Sequence, residues 1–362
     1  MKISLSNKKT IWIAAGGTGG HIAPGVAIAQ KFEENGWSVV LFTHEKNGDY
    51  SDIVQISSVG TIRVVLLNAP RFPSRIGALP SFFIHLLRSW MIIKAAERET
   101  RPTIIAGFGG YLSFPVILFA FLKRIPYVLH EQNSVAGVVT RFFARKARDL
   151  FLSFSETEKV LSGVVTGNPL RKGFLKFSGK KKQPKAKIKS ILLLGGSQGA
   201  TDINNLFIAM RKDRDFDPYQ LTISCGDHDY NRLKDFAHKN DRIYTFINTM
   251  EDVLSQSDLV IARAGSGTIF EILWARKPSV LFPYPFAADD HQRKNAMAIA
   301  RAGCSEMFDQ RPFDSRDASN YIKTVIKSSM ISEMIENLSH HTFKMNGEEL
   351  IYESIIKALE NN

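Results

Sequence analysis

The fold class follows from residues 10–32, TIWIAAGGTGGHIAPGVAIAQKF. Thr10–Ala15 is a continuous apolar run, which is typical of a strand buried on both faces of a parallel sheet. A glycine turn and a helical pattern through Phe32 follow it, and this order opens a doubly wound α/β domain. The glycines do not match the dinucleotide fingerprint, because counting from Gly17 the third glycine position holds Ile22. The mismatch disfavours a nicotinamide or flavin oxidoreductase.

The same arrangement recurs in the second half of the chain. Ser190–Leu194 (SILLL) is a second apolar strand, and Gly195–Ala200 (GGSQGA) is its glycine turn, while Gly167–Arg171 and the basic segment after it form a hinge. With 362 residues, 44% of them hydrophobic and 23% charged, the chain has the size and composition of two globular domains. We predict two Rossmann-like doubly wound domains facing a cleft, one at residues 1–168 and one at 169–345.

The cysteines and the N-terminus indicate a reducing cytoplasm. Cys225 and Cys304 have no CxxC or Cys/His spacing, so the sequence predicts neither a disulfide framework nor a zinc site. The stretch before the first glycine turn has no apolar core of signal-peptide length. Thr103–Leu122 carries no formal charge, but its glycine turn argues against a membrane span, because unpaired backbone groups are disfavoured in lipid.

The net charge of +12 raises the question of an anionic partner. Lys176–Lys189 contains seven lysines and no acidic residue, so much of the excess charge lies in one segment. Such a block is usually a solvated linker, and the alternative is attraction to an anionic surface. No RNP-like strand, zinc-finger spacing or basic zipper accompanies the block, so a membrane surface is favoured over nucleic acid.

An apolar segment interrupted by Pro and Gly spans residues 71–83 and precedes a helix that continues to Arg98. It is either the buried start of that helix or an exposed patch that touches a bilayer. In the second interpretation the inserted side chains are Ile76, Leu79, Phe82 and Phe83. The side chains that would meet lipid phosphates are Arg71, Arg75 and Arg88.

Candidate binding groups concentrate in residues 263–295, RAGSGTIFEILWARKPSVLFPYPFAADDHQRKN. After a short strand, Gly265-Ser266-Gly267 exposes backbone N–H groups at the start of a helix, which favours a phosphate. Glu271 follows about one and a half turns later, where its carboxylate can accept hydrogen bonds from the paired hydroxyls of a ribose. The groups that could read sugar hydroxyls open the next helix: His291, Gln292 and Asn295. The spacing therefore predicts a phosphate and diol site.

Other polar groups have both a chemical and a structural interpretation. His21 could be a base, or a helix-terminal histidine that orients the glycine turn. His130 and Glu131 end a predicted strand, and they could be ligand groups or a hydrogen-bonded structural pair. Asp289 and Asp290 could hold a metal, but they are equally good helix N-caps. We predict no metal, because a helix start already faces the phosphates.

Six blocks carry a resemblance to a known family: GGTGGHIAPG (Gly16–Gly25), GFGGYLSFP (Gly107–Pro115), HEQNSVAG (His130–Gly137), TGNPLR (Thr166–Arg171), GGSQGA (Gly195–Ala200), and GSGTIFE through DDHQRKNA (residues 265–296). In this order and spacing the sequence resembles the MurG family of glycosyltransferases. The resemblance implies a GT-B fold with the donor in the C-terminal domain and the acceptor against the N-terminal one. It also implies that a last helix, residues 346–362, returns to the first domain.

The resemblance further implies an inverting transfer of N-acetylglucosamine from UDP-N-acetylglucosamine to the C4 hydroxyl of undecaprenyl-diphosphate-muramyl-pentapeptide. This lipid-linked step belongs to peptidoglycan synthesis, and through it to cell shape and division. It implies a peripheral enzyme on the cytoplasmic face of the inner membrane, with an anionic membrane surface as a partner, no nucleic acid and no cofactor.

The residue roles implied by the resemblance fall into two sets. Glu271 would hold the ribose hydroxyls, the backbone at Ile247 the uracil, and His21 is the candidate base. The full donor set is Thr18, Gly19, Asn133, Arg171, Ser197, Ile247, Ser266, Gly267, Glu271, His291, Gln292 and Asn295. The acceptor diphosphate would lie against Gly16, Gly17, Gly20, Gly109 and Gly110. Several members carry two glutamines where this chain has His291 and Gln292.

Other functions compete with this interpretation. The nearest are another GT-B glycosyltransferase that uses a UDP-sugar, and a UDP-N-acetylglucosamine 2-epimerase. A Rossmann oxidoreductase and a simple binding protein belong to different classes. Release of UDP from UDP-N-acetylglucosamine that depends on the muramyl-lipid acceptor would decide against all of them.

Overall fold

The computed structural model describes residues 9–16, 19–45, 61–70, 72–73, 75–176, 187–196, 199–341 and 343–360. The chain forms two compact units, the first comprising Met1–Lys172 with Lys344–Asn362 and the second Gly173–Phe343. The division therefore falls between Lys172 and Gly173, within the hinge predicted from the sequence.

Each unit contains one parallel sheet. The strands of the first unit are β1 Thr10–Ala14, β2 Ser38–His44, β3 Ile62–Leu67, β4 Ile104–Gly107, β5 Tyr127–Glu131, β6 Leu150–Leu152 and β7 Val164–Val165. Those of the second are β8 Ser190–Leu194, β9 Gln220–Ser224, β10 Arg242–Tyr244, β11 Leu259–Arg263, β12 Ser279–Phe282 and β13 Glu306–Met307. The strand orders are β3-β2-β1-β4-β5-β6-β7 and β10-β9-β8-β11-β12-β13. The predicted fold class, two parallel-sheet α/β domains, is confirmed.

Helices flank these sheets. In chain order they are α1 Gly19–Glu34, α2 Leu79–Glu99, α3 Gly110–Lys123, α4 Val138–Phe143, α5 Ser155–Glu158, α6 Lys172–Lys176, α7 Thr201–Arg211, α8 Tyr230–Lys234, α9 Met250–Gln256, α10 Ser266–Ala275, α11 His291–Arg301, α12 Ser315–Lys327, α13 Met330–His340 and α14 Gly347–Glu360. Short 3-10 turns lie at Ile76–Ala78, Ala144–Lys146, Arg214–Phe216 and Ala288–Asp290.

The first sheet is buried on both faces, which explains the continuous apolar run of β1. Ile11 and Ile13 point into one core, and Trp12 and Ala14 point into the other, as the two-residue period of a strand requires. The core on the Ile11 side also contains residues of α1 and α14. There, the rings of Phe32 and Tyr352 lie 4.9 Å apart, edge to face. The last helix therefore packs on α1, within the first unit.

α3 begins at Gly110, because the glycine turn leads straight into the helix, and Pro115 is accommodated inside it. α12 and α13 each bury one face in the core of the second unit, because their apolar residues recur at helical spacing.

Most of the described apolar residues of this segment, which runs into the first turns of α2, are exposed, so its interpretation as a buried helix start is wrong. Ile76 is 86% exposed and Phe83 is 59% exposed, while Phe82 is half-buried against the rings of Phe72 and Phe114. We call Ile76, Leu79, Phe82 and Phe83 the apolar patch. Exposed apolar side chains continue along α2 beyond it: Ile84, Leu87 and Met91.

Among the described residues, Ile76–Glu99 is the one helical segment long and apolar enough to cross a membrane by length and composition. Its opposite face, however, packs within the first unit. Ser89, Ile93 and Ala96 are buried, and the ring of Trp90 lies 5.0 Å from that of Phe119 on α3. A spanning orientation would remove these side chains from the core.

Both sheets have a switch point beside their first strand. β1 lies between β2 and β4, and β8 lies between β9 and β11. Open parallel sheets bind ligands outside the carboxyl ends of the strands at such points. The segments after β1, β4, β8 and β11 are therefore the places where a site is expected.

Candidate functional site

The start of α10 is an open segment of this kind. Gly265 is the N-cap residue with φ −67° and ψ 139°, and it has no side chain with which to cap the helix. A Cβ built on Gly265 or Gly267 meets no atom of the described residues within 4 Å. We call Gly265, Ser266 and Gly267 the second corner. Its first-turn N–H groups, which have no partner within the helix, its helix dipole and this open space suit an anion.

Glu271 and Arg263 flank the second corner on the chain. Glu271 lies on α10 and is half-buried. Arg263 ends β11 and is buried, and its Nη1 donates to the carbonyl oxygens of Phe282 and Pro283 at 3.3 and 3.2 Å. Its Nη2 forms an ion pair with Asp202 at the start of α7. The guanidinium of Arg263 therefore ties together the ends of β11 and β12 and the start of α7.

The segment from β12 to α11 holds the three predicted sugar-reading residues. His291 Nδ1 lies 2.8 Å from the carbonyl oxygen of Ala288, and Gln292 Oε1 accepts a hydrogen bond from Tyr284 N at 3.0 Å. Both side chains are half-buried. Asn295 is fully buried, and its Nδ2 donates to the carbonyl oxygen of Ala264 at 3.3 Å. Asn295 thus anchors α11 to the segment that leads into the second corner.

Asp290, the second of the two aspartates before α11, is paired with arginines. Asp290 occupies the N-cap position, but its backbone is left-handed and its side chain makes no cap bond. Its carboxylate instead lies 3.0 Å from Arg311 Nη2 and 3.9 Å from Arg293 Nη1. Within the described ranges, no three His, Cys, Asp or Glu side chains are grouped so that they could hold a metal ion.

Ile247 lies at the far side of the second unit. It follows β10, which β9 and β8 separate from β11, and its side chain is buried. Three strand spacings amount to about 14 Å. A ligand that touched both the Ile247 backbone and the second corner would therefore have to be extended, as a nucleoside diphosphate is.

The two glycine turns of the first unit meet at the carboxyl ends of β1 and β4. A Cβ built on Gly110 lies 3.0 Å from the carbonyl oxygen of Gly16 and 3.6 Å from Cδ2 of His21. A Cβ built on Gly109 lies 3.5 Å from the same His21 atom. We call Gly16, Gly109 and Gly110 the first corner. The structure thus brings His21, which lies in the first turns of α1 with Gly19 and Gly20, against the first corner.

His130 and Glu131 end β5, and both are buried. They are not hydrogen-bonded to each other, because successive residues of a strand point to opposite faces. Glu131 accepts hydrogen bonds from Asn133 N at 3.1 Å, Gly137 N at 2.9 Å and Thr140 Oγ1 at 2.7 Å. Burial raises the pKa of its carboxyl group. Glu131 therefore fixes the turn that presents Asn133.

His130 is buried beside the first corner. Its Nε2 lies 3.4 Å from the carbonyl oxygen of Gly167 and 3.3 Å from Ser153 Oγ. Burial lowers the pKa of His130 to about 4, and the bond to Gly167 opposes this only in part. The imidazole of His130 is therefore neutral near neutral pH.

Some predicted residues cannot be compared with the structure. Gly17, Thr18, Ser197 and Arg71 lie outside the described residues, as do residues 177–186 of the lysine-rich segment. Arg171 is described, and it belongs to the first unit, directly before α6.

Three residues with structural roles at these corners were missed from the sequence. Arg263 was quoted only as the start of a stretch, and its bonds to Phe282 and Pro283 depend on strand pairing. Gly25 lets α1 approach β1, because a Cβ there would overlap that of Ala15. Gln132 Nε2 donates to the carbonyl oxygen of Phe108 at 2.6 Å and so joins the ends of β5 and β4. Only for Gly25 did the sequence carry a signal, namely a glycine three residues after Ile22 within the predicted helix.

Comparison with known proteins gives a consistent family. Residues 11–152 match the glycosyltransferase family 28 N-terminal domain, and residues 190–350 match the glycosyltransferase family 28 C-terminal domain. A relative from Prochlorococcus marinus (strain AS9601) is 32% identical, over 99% of this chain and 94% of its own length. Another, from Wolbachia pipientis wMel, is 31% identical over 93% of this chain and 96% of its own. Both are named UDP-N-acetylglucosamine--N-acetylmuramyl-(pentapeptide) pyrophosphoryl-undecaprenol N-acetylglucosamine transferase.

Solved structures share the fold. The crystal structure of Acinetobacter baumannii MurG superposes with a TM-score of 0.73 at 24% identity, covering 96% of this chain and 99% of that one. CalG4, the calicheamicin glycosyltransferase, superposes with a TM-score of 0.69 at 14% identity, covering 98% of this chain and 99% of that one. Both sequence and fold therefore place the chain in glycosyltransferase family 28, as a member of the MurG family.

Proposed function

We propose that the chain transfers N-acetylglucosamine from UDP-N-acetylglucosamine to the C4 hydroxyl of undecaprenyl-diphosphate-muramyl-pentapeptide, a step of peptidoglycan synthesis. The observation that carries this proposal is the full-length similarity to relatives that bear the name of this reaction, at 32% identity over 99% of the chain. The open helix start at the second corner supports it, because a sugar nucleotide brings a diphosphate to such a place.

In this proposal the donor binds along the carboxyl edge of the second sheet. The diphosphate lies at Ser266 and Gly267, and Glu271 accepts hydrogen bonds from the ribose hydroxyls. The uracil lies at the backbone of Ile247, which suits the extended shape of a nucleoside diphosphate. His291 and Gln292 contact the sugar. The remaining donor contacts of the family pattern are Thr18, Gly19, Asn133, Arg171, Ser197 and Asn295.

The reaction is a single displacement with inversion. The C4 hydroxyl oxygen of the acceptor forms a bond to the anomeric carbon, on the side opposite UDP. The bond from that carbon to the diphosphate oxygen breaks, and its electron pair leaves with UDP. The hydroxyl proton passes to a base, for which His21 is the candidate because it stands against the first corner, where the acceptor diphosphate would bind.

Charge stabilisation at the leaving group would come from the protein itself. Negative charge grows on the diphosphate as the bond breaks, and the N–H groups at the start of α10, with Arg171, oppose it. We therefore expect activity without an added metal. Full activity in the presence of a chelator would support this point, and activity restored only by a divalent ion would refute it.

The apolar patch is proposed to rest on an anionic membrane surface from the cytoplasmic side. Its exposed side chains, Ile76, Leu79 and Phe83, would enter the interface, and the exposed Arg75 and Arg88 would meet lipid phosphates. The acceptor is lipid-linked, so an enzyme held at the surface meets its substrate there.

The reaction is tested by measuring UDP release from UDP-N-acetylglucosamine with and without the muramyl-lipid acceptor. We expect release that depends on the acceptor and yields a β-linked disaccharide. Release without acceptor that leaves an epimerised sugar would instead identify a 2-epimerase. Protein without release under either condition, yet with measurable UDP binding, would be a binding protein.

The membrane proposal is tested by vesicle sedimentation with Leu79→Asp and Phe83→Asp. Both side chains are exposed, so we expect weaker binding to anionic vesicles and unchanged turnover of a water-soluble acceptor analogue. An exposed change elsewhere, Glu336→Gln on α13, is the control. Unchanged vesicle binding in both patch variants would refute the proposal.

A further inference from the structure

Only one end of the Gln132 carboxamide is engaged by the chain. Its Nε2 donates to the carbonyl oxygen of Phe108 at 2.6 Å and lies 3.4 Å from that of His130. A carbonyl oxygen can only accept a hydrogen bond, so these contacts fix which end of the carboxamide is the nitrogen. The side chain is buried, and its Oε1 has no hydrogen-bond partner among the described residues. Joining β4 to β5 therefore explains the nitrogen of Gln132 and leaves a buried acceptor without a donor, which is costly.

The oxygen of Gln132 lies beside His21. A Cβ built on Gly109 would lie 3.4 Å from Gln132 Oε1, 3.5 Å from His21 Cδ2 and 3.7 Å from His21 Nε2. A Cβ built on Gly110 would lie 3.6 Å from the same Cδ2 and 3.7 Å from His21 Cγ. The imidazole thus turns its Cδ2 edge to both glycines, and Nε2 lies at the Gly109 end, where Oε1 is.

This orientation gives the two nitrogens of His21 different surroundings. Nε2 shares the space over Gly109 with an oxygen that can only accept, which favours a proton on Nε2. Nδ1 belongs to the opposite edge of the ring, away from both glycines. In a neutral imidazole with its proton on Nε2, the lone pair is on Nδ1. Nδ1 is then the nitrogen that can take up a proton.

We propose that Gln132 is a positioning residue for His21, whose Nε2–H donates to Gln132 Oε1 and whose Nδ1 is the basic nitrogen of the transfer. The proton of the acceptor hydroxyl passes to Nδ1 as the oxygen bonds to the anomeric carbon and UDP leaves. The resulting imidazolium keeps its bond to Oε1, which stabilises the positive charge. Hydrogen bonds of active sites often tighten only when substrate binds. This inference rests on the proposed function, in which His21 is the candidate base.

Two titratable neighbours on β5 must be considered with this pair. His130 has a pKa of about 4, mainly because it is buried, so it stays neutral near neutral pH. Glu131 is directed to the opposite face of the strand, where its carboxylate accepts a hydrogen bond from Gly137 N at 2.9 Å. A change in the pKa of His21 on replacement of Gln132 can therefore be assigned to the lost oxygen.

The first test determines the tautomer of His21 by NMR of protein labelled with ¹⁵N at histidine. Gln132→Met keeps the length of the side chain and removes the acceptor oxygen. We expect His21 of the wild type to carry its proton on Nε2, and Gln132→Met to lose this preference. The proton affinity of His21 should also fall about tenfold, because the imidazolium loses a hydrogen bond. The variant His21→Gln identifies which signals belong to His21.

A matched control removes the same kind of bond elsewhere. Gln220 Nε2 donates to the carbonyl oxygen of Asn240 at 2.7 Å, at the start of β9 in the second unit. Gln220→Met should leave both the tautomer and the proton affinity of His21 unchanged.

Kinetics give a second measurement. We expect kcat of Gln132→Met to fall about 30-fold or more, with the KM for UDP-N-acetylglucosamine unchanged. The acidic limb of kcat/KM against pH reports the base of the free enzyme, and it should move to lower pH in Gln132→Met. A side chain that only joined β4 to β5 would not move this limb.

The outcomes separate this inference from the proposed function. A wild-type His21 with its proton on Nδ1 would overturn the inference, and this measurement decides even if Gln132→Met does not fold. The same tautomer and the same acidic limb in the wild type and Gln132→Met would also overturn it, and Gln132 would then serve the fold alone. Acceptor-dependent transfer by the wild type would stand in both cases. Absence of that transfer would overturn the proposed function itself.

Discussion

Gly109 and Gly265 occupy equivalent positions in the two units, since each is the N-cap residue between a switch-point strand and the helix that follows it. Their backbones differ. Gly109 has φ 69° and ψ −166°, a region open essentially only to glycine. Gly265 has φ −67° and ψ 139°, which any residue can adopt. The first corner therefore needs glycine for its backbone, and the second does not.

The surroundings of the two residues differ in the same way. Next to Gly109, a Cβ on Gly110 would press on the carbonyl oxygen of Gly16, so the first corner is packed on itself. A Cβ on Gly265 would meet no described atom within 4 Å. A serine or aspartate there would cap α10, yet the chain has a residue that leaves the N–H groups uncapped. At the first corner the fold explains the glycine, whereas at the second corner we propose that glycine keeps the helix start open for a ligand.

The largest expected effect concerns His130, which is buried on β5. The pKa of His130 is lowered from 6.5 to about 4 by burial. Below pH 6.5 the imidazole of His130 binds a proton in the unfolded chain but not in the folded protein. Its contribution to the free energy of unfolding is therefore fully present above about pH 6.5 and is lost as the pH falls towards 4. Between pH 7 and pH 4, the free energy of unfolding of the wild type, measured by chemical denaturation, should fall by up to about 3 kcal/mol more than that of His130→Leu.

This comparison isolates His130 from its neighbour. The pKa of Glu131 is raised by burial, which changes stability in the opposite direction, but Glu131 is present in both proteins. His340→Gln, an exposed change on α13, should keep the pH dependence of the wild type. Equal pH dependence of the wild type and His130→Leu would mean that His130 is not buried as a neutral group.

The matched pair Gly109→Ala and Gly265→Ala tests the contrast directly. Gly109→Ala forces a Cβ into a backbone conformation reserved for glycine, and it should lower the free energy of unfolding by about 2 kcal/mol. In Gly265→Ala the added Cβ causes no backbone strain and contacts no described atom, so the free energy of unfolding should change by less than about 0.5 kcal/mol. Similar losses in the two variants, measured by urea denaturation, would remove the distinction between the corners.

Much of this architecture could be predicted from the sequence, because it depends on local periodicity. The apolar run of β1, the glycine turn after it and the repeat at β8 gave two doubly wound domains. Ile351 and Ile355 are four residues apart, a spacing that predicts a helix packed through one face, and both lie in the core. The position of Gly265 before a helix predicted an anion site at its start, where the structure has an uncapped glycine.

The remaining features depend on contacts between distant residues. The contact of His291 Nδ1 with the carbonyl oxygen of Ala288 can be known only from the positions of the two residues in the structure. The hydrogen bonds that Arg263 donates at the end of β12 depend on the pairing of β11 with β12. The positive φ of Gly109 depends on how the turn fits against Gly16. The sequence allowed either a buried helix start or an exposed patch at the beginning of α2, because apolar residues at helical spacing suit both. Only the packing of Trp90 and Ile93 in the core decides which face is exposed.

A smaller effect is expected from the carboxylate beside the second corner. Glu271→Ala removes the proposed acceptor for the ribose hydroxyls, so the KM for the UDP-sugar should rise about 30-fold with little change in the KM for the acceptor. Glu251→Gln, on α9 of the same unit, offers a carboxylate control that is not proposed to bind the donor. An unchanged donor KM in Glu271→Ala would remove Glu271 from the ribose site.

The smallest expected effect comes from adding a cap at the second corner. Gly265→Ser suits the extended backbone, and its hydroxyl can accept a hydrogen bond from a first-turn N–H of α10 that a phosphate would otherwise use. We expect the affinity for UDP, measured by calorimetry, to fall about tenfold, while the free energy of unfolding stays equal or rises by a few tenths of a kcal/mol.

Because the affinity for UDP should fall while the free energy of unfolding stays equal or rises, Gly265→Ser is a sharper test than a simple loss of binding. A loss of affinity together with a loss of stability would mean that serine distorts the turn, and that the glycine serves the fold as Gly109 does. Gly265→Ala separates the two remaining causes, because its methyl group has no oxygen. If alanine binds UDP as the wild type does and serine does not, the first-turn N–H groups hold the diphosphate. If both variants bind it tenfold more weakly, it is the open space beside Gly265 that the ligand occupies.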